Sequence, residues 1–279
     1  MNVTQKEVDA SDSTVSVVLT TYAGDDPAEL RTCLDSVCEQ NRRPDELVVV
    51  RDRGLPSRLA DVVADVSAPF PVRDVPVEER GRGHARGVAV REATSDLVAV
   101  IDADDVACPN RLARQVAFLD ANPSVDAVGG YVGEFETTPE EVRAVRTVPA
   151  DPAAVRRMAH YRSPLNHPTV TFRRSAVLDV GNYRHMEYGE DYELWCRMLA
   201  HGKTLANVPE VLVKARADGL VTRRRGLDIA RREVRLQRAI VETGFYGWLV
   251  ALANLAVRVP LRLLPERTLR RLYRRVFRS

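Results

Sequence analysis

The stretch Leu97-Val-Ala-Val-Ile-Asp102-Ala-Asp104-Asp105 is the clearest indication of how this chain folds. Its apolar run predicts a strand buried on both faces, as in a parallel sheet. The carboxylates that follow would lie at the C-terminal end of that strand, where ligands bind in open α/β sheets. Like charges this close repel, so a divalent cation bound with substrate phosphates is expected there. The alternative is a turn in which Asp105 caps the next helix, but capping needs only one carboxylate.

Similar apolar runs alternate with helical patterns along the rest of the chain. We predict strands at 15–20, 47–50, 72–75, 97–101, 125–132, 169–172 and 208–213. We predict helices at 27–40, 57–64, 84–93, 109–121, 155–160 and 191–201. Strands that alternate with helices predict an α/β fold with a mainly parallel sheet flanked by helices.

Composition and the N-terminus limit the functional classes. The chain has 279 residues, of which 45% are hydrophobic, so it is long enough for one large domain, or one domain with an appendage. Its four cysteines have neither CxxC nor zinc spacing, which favours ordinary thiols in a reducing compartment. Residues 1–14 are polar and predict a disordered leader without the basic and apolar regions of a secretory signal. We therefore expect a cytoplasmic catalytic domain.

A second acidic motif is Gly189-Glu190-Asp191-Tyr192-Glu193-Leu194-Trp195. Acidic residues at the start of a helix are favoured by the helix dipole, which is one explanation of the pattern. The other is catalysis, because a carboxylate facing a metal–phosphate leaving group can deprotonate an acceptor hydroxyl. Trp195 lies one turn after Asp191, where its ring either stacks on a sugar or packs in the core.

A glycine-rich basic segment, Glu79-Arg-Gly-Arg-Gly-His-Ala-Arg-Gly87, precedes a predicted helix. Helix N-termini bind phosphate well, so a phosphate cradle is one reading of it. The spacing matches neither a Walker A motif nor the dinucleotide fingerprint. A flexible loop is the other reading.

These segments together resemble the family-two inverting glycosyltransferases with a GT-A fold, over residues 15–216. The resemblance rests on the order and spacing of several motifs, because no single motif would identify the family. They are Thr20-Thr21-Tyr22, Pro44 to Val50, Gly83-His-Ala-Arg-Gly87, Ile101 to Asp105, Pro109, Arg111 to Gln115, Asn166-His-Pro-Thr169, Gly181-Asn-Tyr183, Glu190-Asp191, Leu194-Trp195 and Pro209 to Leu212.

The resemblance implies a role for each matching residue. The nucleotide-sugar donor would be bound by Thr20, Thr21, Tyr22, Asp52, Arg86 and Asp102. Asp104, together with Asp102 in the coordination shell of the metal, would hold Mg²⁺ or Mn²⁺ against the diphosphate. Asp191 would be the general base, with Glu190 and Trp195 on the acceptor side.

The sequence departs from the family pattern at three places. Arg51 stands where paired acids are usual, and Gly87 stands where asparagine is frequent. After Arg216 the chain reads Ala-Asp-Gly, where related enzymes often place a histidine near the metal. These departures leave the nucleotide preference and the third metal ligand open.

Residues 217–279 predict a helical, arginine-rich C-terminal segment. The apolar run at 245–257 is too short to span a bilayer, which needs about 20 residues. The last fourteen residues hold six arginines and one glutamate, with apolar residues at helical spacing. This pattern predicts binding to an anionic membrane surface rather than to nucleic acid. The alternative is a helical pair packed on the catalytic domain.

The expected function is transfer of a hexose-type sugar from a nucleotide sugar to a lipid-linked saccharide or other acceptor. The product would be a cell-surface glycan, either a glycoprotein or a polysaccharide, made by a peripheral protein on the inner face of the cell membrane. One alternative is a sugar-nucleotide nucleotidyltransferase, which would consume nucleoside triphosphate and would not need Asp191. The other is a catalytically degenerate scaffold that binds nucleotide sugars.

Overall fold

The first half of the sheet consists of four parallel strands. In a computed structural model of the protein, which describes residues 13–78, 81–216 and 226–263, these are β1 (Val15–Thr21), β2 (Glu46–Asp52), β3 (Val72–Val77) and β4 (Leu97–Asp102). They lie in the order β3-β2-β1-β4. Each pair is joined through a long crossover, as parallel neighbours require. Their C-terminal ends therefore share one edge of the sheet.

The second half of the sheet is mixed. It comprises β5 (Asp105–Ala107), β6 (Ala127–Phe135), β7 (Val142–Arg146), β8 (Thr171–Arg173) and β9 (Leu205–Arg216). β8 joins β4 to β6 through antiparallel pairing, β6 is parallel to β9, and both β5 on β9 and β7 on β6 are antiparallel. The predicted α/β architecture is thus confirmed, but parallel pairing does not dominate beyond β4. β8 overlaps the strand predicted at 169–172, whereas β5 and β7 were not predicted, and a strand as short as β5 leaves no periodicity in the sequence.

Besides the short 3-10 helix at His167–Thr169, nine α-helices of the described residues flank the sheet. They are α1 (Pro27–Cys38), α2 (Ser57–Ala64), α3 (Arg82–Glu92), α4 (Arg111–Ala121), α5 (Pro152–Ala159), α6 (Arg174–Asp179), α7 (Glu190–Ala200), α8 (Leu227–Glu242) and α9 (Trp248–Leu263). Side chains of β1 alternate between two cores. Val17 and Leu19 pack with residues of α1, α2 and α4, whereas Val18 packs with residues of α3 and α7. This period of two places helices on both faces.

The C-terminal helices α8 and α9 form a hairpin that packs on the catalytic domain. Leu236, Ile240, Phe245 and Ala251 are buried in the same core cluster as Trp195. Residues 226–263 therefore show the second interpretation of this segment, a helical pair packed on the catalytic domain. None of the helices that the structure describes has the length and apolar character needed to cross a bilayer.

Several predictions concern residues outside the described ranges. They are residues 1–12 of the leader, Ala217-Asp-Gly, and the arginine-rich segment 264–279. The end of the predicted leader is tied to the domain, because Thr14 Oγ1 donates a hydrogen bond to Asp96 Oδ2 at 2.9 Å.

Candidate active site

The ends of β1, β2 and β4 bring the predicted donor-binding residues together. Thr20 lies opposite Val50 on one side and Asp102 on the other, and Asp52 ends the neighbouring strand β2. Tyr22 follows β1 directly, and its side chain is exposed. Because these strands are parallel, the four polar positions lie along one edge of the sheet.

Asp25 is a residue of this edge that sequence reasoning missed. Its Oδ2 accepts hydrogen bonds from Thr21 Oγ1 at 2.9 Å and from the Tyr22 amide at 3.0 Å. Burial raises the pKa of Asp25, the two hydrogen bonds lower it, and the nearby charge of Asp104 raises it further. An aspartate four residues after Thr21 is a turn signal that could have indicated this role.

Arg51, the first departure from the family pattern, has a partner within the sheet. Its Nε donates to Asp74 Oδ1 at 2.7 Å, across the β2–β3 ladder. The Asp74 hydrogen bond raises the pKa of Arg51, with burial opposing it. The guanidinium is therefore directed along the sheet surface by Asp74.

Arg86 of α3 connects two parts of the site that are far apart in sequence. Its Nη2 lies 2.6 Å from Asp102 Oδ1, and its Nη1 bonds to Glu190 Oε1. Burial alone would raise the pKa of Asp102, but Arg86 and, more weakly, His167 lower it to about 2. The same two carboxylates raise the pKa of Arg86 against the effect of burial. Arg86 thus joins the end of β4 to the start of α7.

The glycine-rich segment places Arg86 by close packing. A Cβ at Gly83 would lie 2.0 Å from the carbonyl oxygen of Arg184, so only glycine allows α3 to approach this loop. Asn182, which has a φ of 61°, donates from Nδ2 to the carbonyl of Gly87 at 2.8 Å. Residues 82–92 are helical, which corrects the reading as a flexible loop over that range.

The three acids after β4 occupy different environments. Asp104 is exposed, Asp102 is half-buried, and Asp105 is 5% exposed. Burial, followed by the charges of Asp102 and Asp104, raises the pKa of Asp105 well above its usual value. The reading of Asp105 as a helix cap is wrong, because it pairs with Ala215 in β5 and α4 begins only at Arg111.

Buried arginines compensate part of this negative charge. Arg111, 2% exposed, donates from Nη2 to the Val100 carbonyl at 2.6 Å beneath the acidic turn. Burial lowers its pKa to about 10, although Cys33 and Asp105 oppose this. The pKa of Asp105 is raised even so, mainly by burial and then by the charges of Asp102 and Asp104.

The acidic turn fits a divalent metal only in part. Within residues 13–78, 81–216 and 226–263, no three His, Cys, Asp or Glu side chains converge on one point. Asp102 and the exposed Asp104 are hard oxygen donors, and a bound cation would favour the ionised form of neighbouring carboxylates. Magnesium is commonly held by one or two carboxylates together with phosphate oxygens and water. The residues fit such an ion, provided that the substrate supplies the remaining ligands.

Asp191 lies beside these groups at the start of α7. Gly189 caps the helix with a φ of 72°, and Asp191 is half-buried. Its charge raises the pKa values of Tyr183 and Glu190, although burial has the larger effect on both. It therefore lies close enough to Arg86 and His167 for its charge to raise the pKa of both.

Two acceptor-side predictions need correction. Glu190 is 4% exposed, and its carboxylate binds Arg86, so it holds that guanidinium and is not presented to an acceptor. Trp195 is fully buried, with its ring 6.5 Å from that of Phe172. The prediction that it stacks on a sugar is wrong, and the alternative of core packing is correct. Spacing within a helix cannot show which side of the helix meets solvent.

His167 and Tyr183 belong to the site although sequence analysis gave them no role. Their rings meet edge to face at 6.0 Å. Burial and Arg86 lower the pKa of His167 to about 4, with Asp102 and Asp191 opposing. Within the described part of the chain, His167 Nδ1, Tyr183 Oη and Trp195 Nε1 have no hydrogen-bond partner. Buried polar atoms that lack a partner in the protein require a hydrogen bond from water or a ligand.

Comparison with known proteins identifies the family. The family model described as "Glycosyl transferase family 2" matches residues 16–180. The chain belongs to glycosyltransferase family 2. An uncharacterised glycosyltransferase of Haemophilus influenzae is 35% identical over 95% of this glycosyltransferase and 99% of its own length. The amylovoran biosynthesis glycosyltransferase AmsE of Erwinia amylovora is 33% identical, covering 92% and 97%.

A third relative and two solved structures extend the comparison. The Escherichia coli UDP-Gal:alpha-D-GlcNAc-diphosphoundecaprenol beta-1,3-galactosyltransferase is 30% identical over 94% of this chain and 96% of its own. S. aureus TarS 1–349 in complex with UDP-GlcNAc superposes with a TM-score of 0.66 at 18% identity, covering 88% and 72%. The mannosyltransferase PcManGT of Pyrobaculum calidifontis, with GDP-Man and Mn²⁺, gives 0.64 at 20% identity, covering 96% and 76%. The predicted GT-A fold is confirmed.

Proposed function

We propose that this glycosyltransferase moves a hexose-type sugar from a nucleotide-sugar donor to a lipid-linked saccharide, with inversion at the anomeric carbon. The observation that carries the proposal is the bridge that Arg86 makes between Asp102 and Glu190. It holds Asp191 beside the strand ends at which the donor would bind. A candidate base close to a candidate donor site supports transfer rather than binding alone.

The donor half of the reaction would use the sheet edge. Thr20, Thr21, Tyr22 and Asp52 would hold the nucleoside, and Asp25 would position the turn that carries Tyr22. Asp104, with Asp102, would hold Mg²⁺ or Mn²⁺, which when bound neutralises charge on the departing diphosphate. The pairing of Asp102 with Arg86 adds a cation on the same side of the site.

The acceptor half would use Asp191 as general base. Its carboxylate takes the proton of the acceptor hydroxyl while the acceptor oxygen bonds to the anomeric carbon and the bond to the diphosphate oxygen breaks. Attack from the face opposite the leaving group inverts the configuration. The neighbouring acid Glu190 keeps Arg86 in place and leaves Asp191 as the carboxylate with access to solvent.

The lipid-linked acceptor is supported by the relatives and by the charge of the C-terminal segment. The name of the E. coli relative specifies a sugar on diphosphoundecaprenol as acceptor. The arginines of residues 264–279 would favour the anionic inner face of the cell membrane. We therefore place the reaction in the cytoplasm, at that face, in the synthesis of a cell-surface glycan.

The proposal is tested by supplying candidate substrates to the purified protein. UDP- and GDP-linked hexoses are each incubated with N-acetylglucosamine linked through diphosphate to a prenol, with Mg²⁺ or Mn²⁺. Mass spectrometry should detect one added hexose, and NMR should show the inverted anomer. Sugar 1-phosphate and nucleoside triphosphate converted without transfer would instead identify a nucleotidyltransferase, and donor binding without turnover would identify a scaffold.

A further inference from the structure

The helix α9 has one face in the core and one apolar face exposed. On the inner side Ala251 is fully buried, and Asn254 Nδ2 donates to the His160 carbonyl at 2.8 Å. The outer side exposes four large apolar residues: Trp248 (54%), Leu249 (86%), Leu252 (57%) and Val257 (63%). Residues 247–257 include no charged side chain. Apolar side chains this exposed, on one face of a helix, indicate an interaction surface.

The charge near this face matches an anionic lipid surface. The neighbouring helix α8 exposes Arg231, Arg235 and Arg238 together with Val234. Arg238 also pairs with Glu242, while no ion pair is found for Arg231 or Arg235 among the described residues. The sequence that follows α9 carries six further arginines and one glutamate. Arginines that flank an apolar helix face bind headgroup phosphates while the apolar side chains enter the acyl boundary. A second copy of this chain would bring the same positive charges together, so lipid is the better match.

The inner side of the hairpin supports the residues around Asp191. Leu236 of α8 packs on Gly189, where a Cβ would lie 2.6 Å from Leu236 Cδ2. Tyr188 Oη donates to Oε2 of the buried Glu233 at 3.1 Å. Glu233 also pairs with Arg258 of α9, whose guanidinium lies 5.6 Å from the centre of the Tyr192 ring. The hairpin thus contacts the chain on both sides of Asp191.

We propose that α9 docks on an anionic lipid surface through Trp248, Leu249, Leu252 and Val257, and that the hairpin thereby fixes the orientation of Asp191 relative to that surface. The benefit to catalysis rests on the proposed function, because only an acceptor anchored in lipid gains from it. An acceptor held in the surface then meets the base without a separate search through solution.

The first experiment measures flotation of the full chain with vesicles of phosphatidylglycerol and phosphatidylethanolamine. The double variant Leu249→Glu/Leu252→Glu should bind at least about tenfold more weakly than the unaltered protein, because it places two charges in the apolar face. Val145→Glu on β7 is the matched control, since Val145 is also exposed, at 47%. Point variants are preferred to removal of residues 245–279, which would take Phe245 and Ala251 out of the core.

The second experiment separates docking from chemistry. In the double variant, KM for a long-chain prenyl-diphosphate acceptor in vesicles should rise about tenfold, whereas turnover of a short-chain, water-soluble analogue should not change. Arg235→Glu/Arg238→Glu should abolish the preference for anionic over neutral vesicles. If the double variant folds poorly, the single change at Leu249, which is the most exposed of the four, gives the same comparison.

Several results would overturn the docking surface. One is vesicle binding that does not change in the double variant. This includes the case in which residues 264–279 alone are responsible for binding. Another is a dimer of the unaltered protein that the double variant converts to monomers, since a second copy would then cover α9. If vesicle binding depends on these residues but no lipid-linked acceptor is used, the surface stands and the proposed function fails.

Discussion

The proposed donor half of the site lies at the ends of three adjacent parallel strands, whereas the proposed acceptor half is assembled from α7, the loop before it and the C-terminal hairpin. On the donor side, Thr20 and Asp102 are neighbours through the sheet register itself. On the acceptor side, Asp191 depends on contacts that the sheet does not provide. Glu190, for example, meets Arg86 across 104 residues of sequence.

The two halves of the site should respond differently to amino-acid substitutions. A strand end stays in place as long as the sheet is formed, so donor-side substitutions should act on binding and chemistry directly. The acceptor side is held by packed loops and buried charges, so substitutions there should also alter the position of the base. Four predictions test this distinction.

The largest effect is expected on the donor side. Asp104→Asn should abolish turnover and metal-stimulated binding of the donor, while the thermal unfolding midpoint stays close to that of the unaltered protein, because Asp104 is exposed. Turnover with increasing Mn²⁺ or Mg²⁺ and isothermal titration with donor are the measurements. Full activity of the variant, or of the unaltered protein in excess chelator, would remove the metal from the proposal.

Asp191→Asn should reduce transfer by about 10²- to 10⁴-fold, the usual scale for general-base catalysis. Donor affinity should not change, because only deprotonation of the acceptor is affected. Glu190→Gln is the informative comparison, since it removes the carboxylate that holds Arg86 and should lower stability as well as activity. If Glu190→Gln costs more turnover than Asp191→Asn at equal folding, the base has been assigned to the wrong acid.

The acceptor side should also be sensitive to acid through His167. The pKa of His167 is lowered to about 4 from its ordinary 6.5, so the unfolded chain binds this proton more readily. Stability should therefore fall as pH decreases from 6.5 to 4, by about 3 kcal/mol in total, and this contribution should level off below pH 4. Denaturant unfolding of the unaltered protein and of His167→Gln checks this. A pH dependence as steep in the variant would contradict it.

The smallest effect concerns the packing of α3 on the loop before α7. Gly83→Ala should destabilise the protein by about 1–3 kcal/mol, because the new methyl group displaces the Arg184 backbone. Gly54→Ala is the control, since a Cβ there meets nothing within 4 Å. Chemical denaturation should separate the two variants, and transfer should fall only in the first. Equal stability of both would show that the 182–186 loop adapts freely.

Much of the donor half was predictable from sequence because it is local. The apolar run before Asp102 and the polar residues after β1 and β2 specify a strand and its end without reference to the rest of the chain. Asp25 was missed even so, since turn residues adjacent to a motif carry a weaker signal. The reading of Asp105 as a helix cap was wrong because β5 is only three residues long.

The acceptor half was predictable only as a motif. The pair Glu190-Asp191 pointed to an acid at a helix start, but two adjacent carboxylates are chemically equivalent in sequence. Their different roles arise from Arg86, which binds one and leaves the other half-exposed. Trp195 was assigned to the acceptor because it lies one turn on, and its burial depends on which side of α7 packs against the sheet.

The sequence by itself determined the alternation of strands and helices, the acids at the end of β4 and the family of the chain. These follow from continuous apolar runs, helical patterns and motif spacing, which are properties of neighbouring residues. Tertiary structure alone decided that Arg86 joins Asp102 to Glu190, that Gly83 admits the Arg184 backbone, and that α8 and α9 support Asp191. These depend on contacts between distant segments, whose energies arise only when burial removes competing water from charges and apolar surfaces.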